Sequence, residues 1–332
     1  METNLSIFTD MHVTAQKGRV QAWNRMVHLL KNKNPGITKT QINEALLKGE
    51  PEFRGDVDQR LLGIFNRFKS AEETLEDYIA EEFESHPTYP WTSRIKGCGK
   101  EAAAKVIGII EGVTFSGAVF GDLKEIGVVK NLDEFKEKRV ELEGKYPELF
   151  QRRSSIYAFD TPSRLRRFDG LAPVDGKAER VARGQKGLHY SPELRMMLWR
   201  LLTSLMRARG VWYGKYSEND EYYMRRFERD KIEVIPTPAG RFCGVCLEEK
   251  DVPKTTKNCP DCGAKLMAKD EPPGVIFRGH VVNMAKRRTI RLWSDCLWIV
   301  WREALKLPTR VPWVLEYGGH TTLINPWEMV DK

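Results

Sequence analysis

The segment Ile95-Lys96-Gly97-Cys98-Gly99-Lys100 carries the strongest fold signal in this sequence of 332 residues. An apolar residue followed by two spaced glycines predicts a turn between two helices, a helix-hairpin-helix over residues 91–112. Glycines let a phosphate oxygen approach the backbone, and the N-terminus of the second helix attracts its negative charge. The predicted phosphate contacts are Gly97, Cys98, Gly99, Lys100 and Lys105. The alternative for these residues is a plain helical corner without a ligand.

Positive charge is concentrated in the segment that follows the hairpin. Residues 151–215 contain 14 Lys and Arg against 5 Asp and Glu, a net charge of +9, whereas the whole chain carries +8. Such a local surplus is typical of a surface that binds a nucleic-acid backbone. The candidate phosphate contacts in this segment are Arg152, Arg153, Arg164, Arg166, Arg167, Lys177, Arg180, Arg183 and Lys186. The alternative is an ordinary solvated surface, which the scarcity of acidic residues disfavours.

Four of the six cysteines form two close pairs. Cys243 and Cys246 make one pair, and Cys259 and Cys262 make the other. Two such knuckles supply four thiolates to one ion and leave no open coordination position, which predicts a structural Zn²⁺ site in a zinc ribbon. The ribbon would either contact nucleic acid through its lysines or serve as a solubilising insertion. The other cysteines, Cys98 and Cys296, are predicted to be reduced, buried thiols.

The predicted fold class is mainly α, in four parts. Residues 1–90 form a helical N-terminal region, and residues 91–235 form the helix-hairpin-helix nucleic-acid-binding domain. Residues 236–272 form the inserted zinc ribbon, and residues 273–332 form a C-terminal helix and tail. Within the first part, Thr38 followed by Gln41 predicts a capping box at a helix start.

A heptad pattern predicts a coiled-coil-like helix over residues 56–85. The apolar positions of the seam are Leu61, Ile64, Phe68, Ala71, Leu75 and Tyr78. A seam of this length packs either against residues 11–48 of the same chain or against a second copy, which would make the protein a homo-oligomer. Both alternatives fit the pattern.

Two further helices are predicted in the second half of the chain. Ser191-Pro192 provides an N-cap and first turn for a helix over residues 192–209. One face of that helix is apolar, at Leu194, Met197, Leu198, Leu201, Leu202 and Leu205. The last predicted helix spans residues 279–307.

The bulk properties favour a folded protein inside a reducing compartment. The apolar fraction is 41%, and no window reaches the run of about 18 apolar residues that predicts a membrane span. The first residues lack the layout of a signal peptide. We therefore expect a cytoplasmic protein, nucleoid-associated if it is cellular, with no membrane partner.

Four pieces of residues 91–216 carry a resemblance to a known family. They are Lys96-Gly97-Cys98-Gly99 with Ala102-Ala103-Ala104, the stretch Thr161-Pro162-Ser163-Arg164-Leu165-Arg166-Arg167-Phe168-Asp169-Gly170-Leu171-Ala172-Pro173, the turn Gly184-Gln185-Lys186-Gly187, and the helix start Pro192-Glu193-Leu194-Arg195. In these pieces the chain resembles the C-terminal transposase domain of the Piv-invertase-like, bridge-RNA-guided insertion-sequence transposases. The resemblance covers a little over a third of the chain and implies a DNA- or RNA-binding architecture.

The chain departs from the family pattern at both expected catalytic features. Family members carry an N-terminal RuvC-like domain with four metal-binding acidic residues, whereas residues 1–90 here read as helices. Family members also place a nucleophilic serine shortly after Ala-Pro, where this chain has Asp175. The nearest serines are Ser154 and Ser155. The resemblance therefore implies that the binding scaffold is retained and the strand-transfer chemistry is lost.

Three functional hypotheses follow from the sequence. The first is a non-catalytic protein, derived from a mobile-element transposase, that binds duplex or branched DNA. The second is an active compact transposase or recombinase, which either has its nucleophile among Ser154, Ser155 and Asp175 or borrows a RuvC-like partner chain. The third is a protein that binds structured RNA. Of the three, the sequence favours the first, without catalytic residues.

Overall fold

A computed structural model describes residues 4–48, 55–174, 177–178, 190–253, 256–267, 271–309 and 324–331. The chain is mainly helical with small β-sheets, as predicted. Its α-helices are α1 Leu5–Lys33, α2 Lys39–Asn43, α3 Gln59–Glu84, α4 Tyr89–Thr92, α5 Lys100–Glu111, α6 Ser116–Glu125, α7 Leu132–Glu137, α8 Arg139–Lys145, α9 Pro147–Arg152, α10 Pro162–Phe168, α11 Pro192–Ala208, α12 Val211–Arg229 and α13 Arg278–Ala304. A π-helical turn, Glu44–Lys48, continues α2, and 3₁₀ turns lie at Ser155–Ala158 and Pro326–Glu328.

The strands form three small sheets. They are β1 Pro173–Val174, β2 Lys177–Ala178, β3 Glu233–Ile235, β4 Arg241–Cys243, β5 Glu248–Lys250, β6 Leu266–Met267 and β7 Val275–Phe277. Strands β1 and β2 pair antiparallel, β3 and β7 pair parallel, and the third sheet has the antiparallel order β5-β4-β6.

The chain divides into two compact units, and each unit is built from three separate segments of the sequence. The first unit comprises Met1–Ser93, Gly99–Asp160 and Trp301–Pro308, and the second comprises Arg94–Cys98, Thr161–Val300 and Thr309–Lys332. The segment predicted as one domain, residues 91–235, is therefore shared between the two units. The sheet β5-β4-β6 lies wholly inside the second unit.

In the first unit, α1 and α3 pack against each other along their length. Asp58 begins α3, because its side chain accepts hydrogen bonds from the backbone N–H groups of Arg60 and Leu61. The predicted capping box is confirmed at α2, where Thr38 and Gln41 satisfy each other's backbone N–H groups. Gly18 lets the helices approach closely, since a Cβ there would lie 2.5 Å from the Phe68 ring.

Only one row of the predicted heptad seam on α3, Leu61, Phe68 and Leu75, lies on the packed side of the helix. The buried residues of α3 are Phe65, Glu72, Leu75, Ile79 and Phe83. Of the predicted seam only Leu75 is buried, and Ile64, Ala71 and Tyr78 are exposed. The reason is that α3 packs mainly on α1, whose Arg19 pairs with the buried Glu72 at 2.6 Å. A charged residue thus belongs to the packed face, which an apolar pattern cannot reveal.

In the second unit, α11 forms the centre of the core. Ser191 caps it by accepting a hydrogen bond from the backbone N–H of Leu194. The six apolar positions predicted to share one face are all buried, which confirms that prediction. Asn219 of α12 and Thr289 of α13 are hydrogen-bonded to each other at 2.9 Å in the interior, so α12 and α13 are joined by a buried polar contact.

Candidate metal centre and nucleic-acid interface

The four cysteines Cys243, Cys246, Cys259 and Cys262 converge on one point of the second unit. Their sulfur atoms all lie within 4.8 Å of one another. The Sγ atoms of Cys243 and Cys262 are 3.5 Å apart, and those of Cys246 and Cys259 are 4.0 Å apart. A tetrahedral zinc ion with Zn–S bonds of about 2.3 Å needs sulfur atoms about 3.8 Å apart. The thiols therefore have the spacing of a four-coordinate metal site.

The sheet β5-β4-β6 positions these thiols. Cys243 ends β4, and the backbone N–H of Cys246 donates to its sulfur at 3.4 Å. Donation by this N–H lowers the pKa of the Cys243 thiol to about 6, whereas hydrogen bonding with Cys262 and Cys243 raises the pKa of the Cys246 thiol to about 12. Cys243 and Cys259 are buried, Cys246 is half-buried and Cys262 is exposed. Because all four positions are taken by protein ligands, the site suits a structural ion.

The ribbon lysines differ in their environment. Lys250 pairs with Glu248 at 2.7 Å and with Asp261 at 2.6 Å, so its charge is already compensated within the ribbon. Lys257 is exposed, and Lys254 lies outside the described residues.

The predicted hairpin forms a tight turn, but its first glycine faces the protein. Gly97 adopts a φ of +83°, and a Cβ there would lie 2.7 Å from both the Cβ of Ala208 and the carbonyl oxygen of Ser204. The glycine is therefore required for close packing on α11. Gly99 precedes α5 in an extended conformation with open space around it. Cys98 is buried, and burial raises the pKa of its thiol to about 12, as expected of an inert core cysteine.

Both lysines of the hairpin helix are engaged by carboxylates. Lys100 is exposed and pairs with Glu84. Lys105 is buried, and its ammonium group donates to Glu76 at 2.9 Å, to Glu101 at 2.5 Å and to His12 at 3.0 Å. These hydrogen bonds give Lys105 a structural role in joining α1, α3 and α5. A phosphate contact by Lys105 has no support in this geometry.

The predicted arginines fall into three groups. Arg153 forms a two-pronged pair with Asp122 at 2.7 and 2.8 Å, and this hydrogen bonding holds the pKa of Asp122 below its usual range. Arg166 forms a similar pair with the buried Asp295. Arg152, Arg164 and Arg167 are exposed. The side chains at positions 177, 180, 183 and 186 lie outside the described residues, although Lys177 belongs to β2.

The Asp169-Gly170-Leu171-Ala172 stretch is part of a buried polar cluster. Asp169 accepts hydrogen bonds from the backbone N–H of Leu171 and from the hydroxyl of Ser294, both at 2.9 Å. Burial raises the pKa of Asp169 to about 8, and burial also raises the pKa of Asp295. The sequence contained no signal for this cluster, because Asp169 and Asp295 are far apart along the chain.

The arginines of α11 lie within the basic segment 151–215, for which the sequence predicted nucleic-acid binding, but they were not among the individual candidates. Arg200 and Arg207 are exposed on α11, and Arg209 is exposed directly after it. None of the three lies within salt-bridge distance of a carboxylate among the described residues. Their position opposite the apolar face of the helix was the signal that could have identified them.

Ser154 and Ser155 both donate hydrogen bonds to backbone carbonyl oxygens. The hydroxyl of Ser154 donates to the carbonyl oxygen of Gln151 at 3.1 Å, and the backbone N–H of Ser155 donates to Val113 at 2.8 Å. Asp175 lies outside the described residues.

No protein-family model, curated protein or solved structure matches this chain. Within the described part of the chain, no helix has the combination of length and apolar character needed to cross a membrane.

Proposed function

We propose that this chain is a nucleic-acid-binding protein derived from a mobile-element transposase, with DNA as its ligand and without strand-transfer chemistry. One observation carries the proposal: Arg167, Arg200, Arg207 and Arg209 are exposed and lack carboxylate partners among the described residues. Arg153 and Arg166, in contrast, are already paired with Asp122 and Asp295. Guanidinium groups that have no carboxylate partner can bind the phosphates of a nucleic-acid backbone.

The hairpin has a narrower role in this proposal than its sequence suggested. Gly99 and the N-terminus of α5 are its open part, and they are the elements to which a backbone phosphate has access. Gly97, Cys98 and Lys105 support the fold.

We propose Zn²⁺ as the ion of the four-cysteine site. Four thiolates at tetrahedral spacing match the preference of Zn²⁺ for sulfur ligands. When bound, the ion would cross-link β4 to the turn before β6. Its role would be structural, without a part in catalysis. Reduced thiols at this site also suit a reducing compartment such as the cytoplasm.

The test is binding by the purified full chain to labelled duplex DNA, single-stranded DNA, a four-way DNA junction and a matched RNA, with and without Mg²⁺, at two salt concentrations. We expect intact, retarded DNA and an affinity that falls steeply with salt, because counterions are released on binding. Nicked, joined or covalently attached strands would contradict the non-catalytic assignment. Exclusive binding of RNA would replace DNA as the ligand.

The matched variants separate exposed arginines from paired ones. Replacing Arg167 and Arg200 with Gln should weaken binding and lower the salt dependence. Replacing Arg225 with Gln is the control, since Arg225 is exposed but pairs with Glu221. If the control weakens binding as much as the Arg167/Arg200 double variant, compensation by carboxylates does not decide which arginines bind.

Self-association through residues 56–85 is a separate proposal. Its support is that Ile64, Ala71 and Tyr78, seven residues apart along α3, remain exposed after α3 has packed on α1.

A further inference from the structure

The second unit contains a groove whose lining combines cations with aromatic rings. The groove has a volume of about 440 Å³, within the range of small-ligand sites. It is lined by residues of α11, α12 and α13 together with Arg209. The lining residues that matter are Trp199, Met206, Arg207, Arg209, Tyr213 and Lys286.

The groove differs from its neighbours in electrostatics. No described residue that lines it is acidic, and no described carboxylate pairs with Arg207, Arg209 or Lys286. A second groove of about 450 Å³ contains three arginines, but Glu218 and Glu221 line it as well. There Arg225 pairs with Glu221, and both Arg226 and Arg229 pair with Asp230. Of these two grooves, the first alone is lined by cations without a carboxylate partner among the described residues.

A third groove, of about 610 Å³, is predominantly apolar. Its one arginine, Arg278, is held by the carboxylate of Asp220. Neither a phosphate nor a carboxylate ligand is favoured there.

Arg209 adopts a backbone conformation that arginine seldom takes. It follows the last residue of α11 with a φ of +51°, the left-handed region that glycine fills without cost at helix ends. Lys231 and Lys306 share this conformation shortly after α12 and α13, so what distinguishes Arg209 is the place of its side chain. That side chain lies over the ring of Tyr213, with the guanidinium carbon 6.0 Å from the ring centroid.

We propose that this groove binds an unpaired nucleotide of a nucleic-acid strand. This inference rests on the proposed nucleic-acid-binding function and specifies its ligand. Arg207, Arg209 and Lys286 would contact phosphate, and the rings of Trp199 and Tyr213 would stack on the base. Stacking on aromatic side chains requires an open base face, which a base inside an intact duplex does not offer. The ligand is therefore a single strand, a bulge or a branch point.

The experiment measures fluorescence anisotropy of the full chain with four labelled ligands. They are a short single strand of DNA, its RNA equivalent, an abasic DNA strand of the same length, and an intact DNA duplex. We expect the base-bearing strand to bind more tightly than the abasic strand by about 5- to 150-fold, the range that base–aromatic stacking provides. The DNA and RNA arms identify the strand.

Three variants test the groove residues. Tyr213→Ala should remove most of the preference for the base-bearing strand, whereas Tyr213→Phe should keep it because the ring remains. Arg209→Gly should weaken binding of both single strands and lower the slope of log affinity against log salt by about 0.7. The melting temperature of Arg209→Gly should be unchanged or raised, because glycine suits this backbone conformation. If Arg209 were purely structural, Arg209→Gly would lower the melting temperature and leave binding and its salt dependence unchanged.

The outcomes separate the two proposals. Binding of all ligands with no difference between base-bearing and abasic strands would overturn the groove assignment and leave the proposed function standing. An unchanged preference in Tyr213→Ala, with circular dichroism showing a folded variant, would also overturn it. Absence of binding to every nucleic acid would overturn both proposals.

Discussion

The carboxylate of Asp331 accepts a hydrogen bond at 2.7 Å from the backbone N–H of Lys96, the residue that opens the hairpin turn. Its other oxygen accepts at 2.9 Å from the backbone N–H of Val211, the first residue of α12. The backbone N–H of Asp331 in turn donates to the carbonyl oxygen of Arg94 at 2.9 Å. One acidic side chain therefore satisfies an N–H group of the hairpin turn, where the sequence predicted a phosphate, and another at the start of α12.

We expect Asp331→Ala to lower the free energy of unfolding by about 1–2 kcal/mol, because it removes the acceptor for a helix N-terminus and for a turn. Urea unfolding followed by circular dichroism measures the loss. Asp331→Asn retains one carbonyl acceptor and should lose less than Asp331→Ala. Equal stability of Asp331→Ala and the wild type would show that water replaces both hydrogen bonds.

The two hairpin glycines should respond differently to alanine. Gly97→Ala should destabilise the protein by about 2–4 kcal/mol, since Ala would need a left-handed φ and would also contact Ala208 and Ser204 too closely. Gly99→Ala is the control, because space around Gly99 is open and its φ of −61° is normal. Thermal unfolding compares the two. A smaller loss for Gly97→Ala than for Gly99→Ala would contradict the packing of this turn.

Adjacent residues of α3 provide a test of helix phase. Phe65 is 6% exposed and Ile64 is 43% exposed. Phe65→Ala should cost about 3–5 kcal/mol, the usual loss for a buried aromatic residue, whereas Ile64→Ala should cost about 0.5 kcal/mol or less. Urea unfolding gives both values.

Light scattering on the same proteins tests self-association through α3. If the proposed dimer forms, Ile64→Ala should shift it toward monomer while lowering the free energy of unfolding by no more than about 0.5 kcal/mol. A wild-type chain that is monomeric at all concentrations would exclude this proposal.

The raised pKa of Asp169 predicts how stability depends on pH. The ordinary pKa of this group is 3.8, whereas burial raises it to about 8 in the folded state. Between these values the folded chain holds one more proton than the unfolded chain. This single proton makes the free energy of unfolding fall by about 1.4 kcal/mol per pH unit as pH rises, and the fall ends above pH 8.

Asp169→Asn should remove that contribution to the slope, because Asn has the shape and donor of the protonated acid. Urea unfolding midpoints from pH 5 to pH 9 measure this slope. The charged neighbours Asp295, Arg166 and Arg291 are present in both proteins and form a common background. Asp122→Asn is the control, since the pKa of Asp122 is lowered by Arg153 and Asp122 stays ionised throughout this range. Parallel pH profiles for wild type and Asp169→Asn would refute the assignment.

Removal of the metal should unfold the ribbon and leave the helices intact. The sheet β5-β4-β6 is short, and its buried cluster consists largely of the cysteines themselves with Leu266, so the ion supplies most of its cohesion. Elemental analysis should give one zinc per chain. A strong chelator, or Cys259→Ser, should remove the zinc and expose the ribbon to protease while the helical circular dichroism remains. Full zinc occupancy in Cys259→Ser would contradict four-thiolate coordination.

Local patterns in the sequence were sufficient to predict those elements whose structure depends on residues close together in the chain. The cysteine pairs predicted a four-thiol cluster because each knuckle is set by two residues and a tight turn. Ser191-Pro192 and the apolar face that follows predicted α11, since both capping and burial on one face depend on the 3.6-residue helical period. The capping box of Thr38 and Gln41 was predictable for the same reason, because its two residues are three positions apart.

Only the tertiary structure decided which charges are available for binding. Arg153 and Arg166 look the same in sequence as Arg167 and Arg200, yet partners 31 and 129 residues away along the chain neutralise the first two. The rotation of α3 was decided in the same way, since Glu72 is buried only because Arg19 on α1 faces it. Sequence sets helical period, caps and cysteine spacing through local geometry, whereas pairing of charges between distant segments depends on how the helices pack.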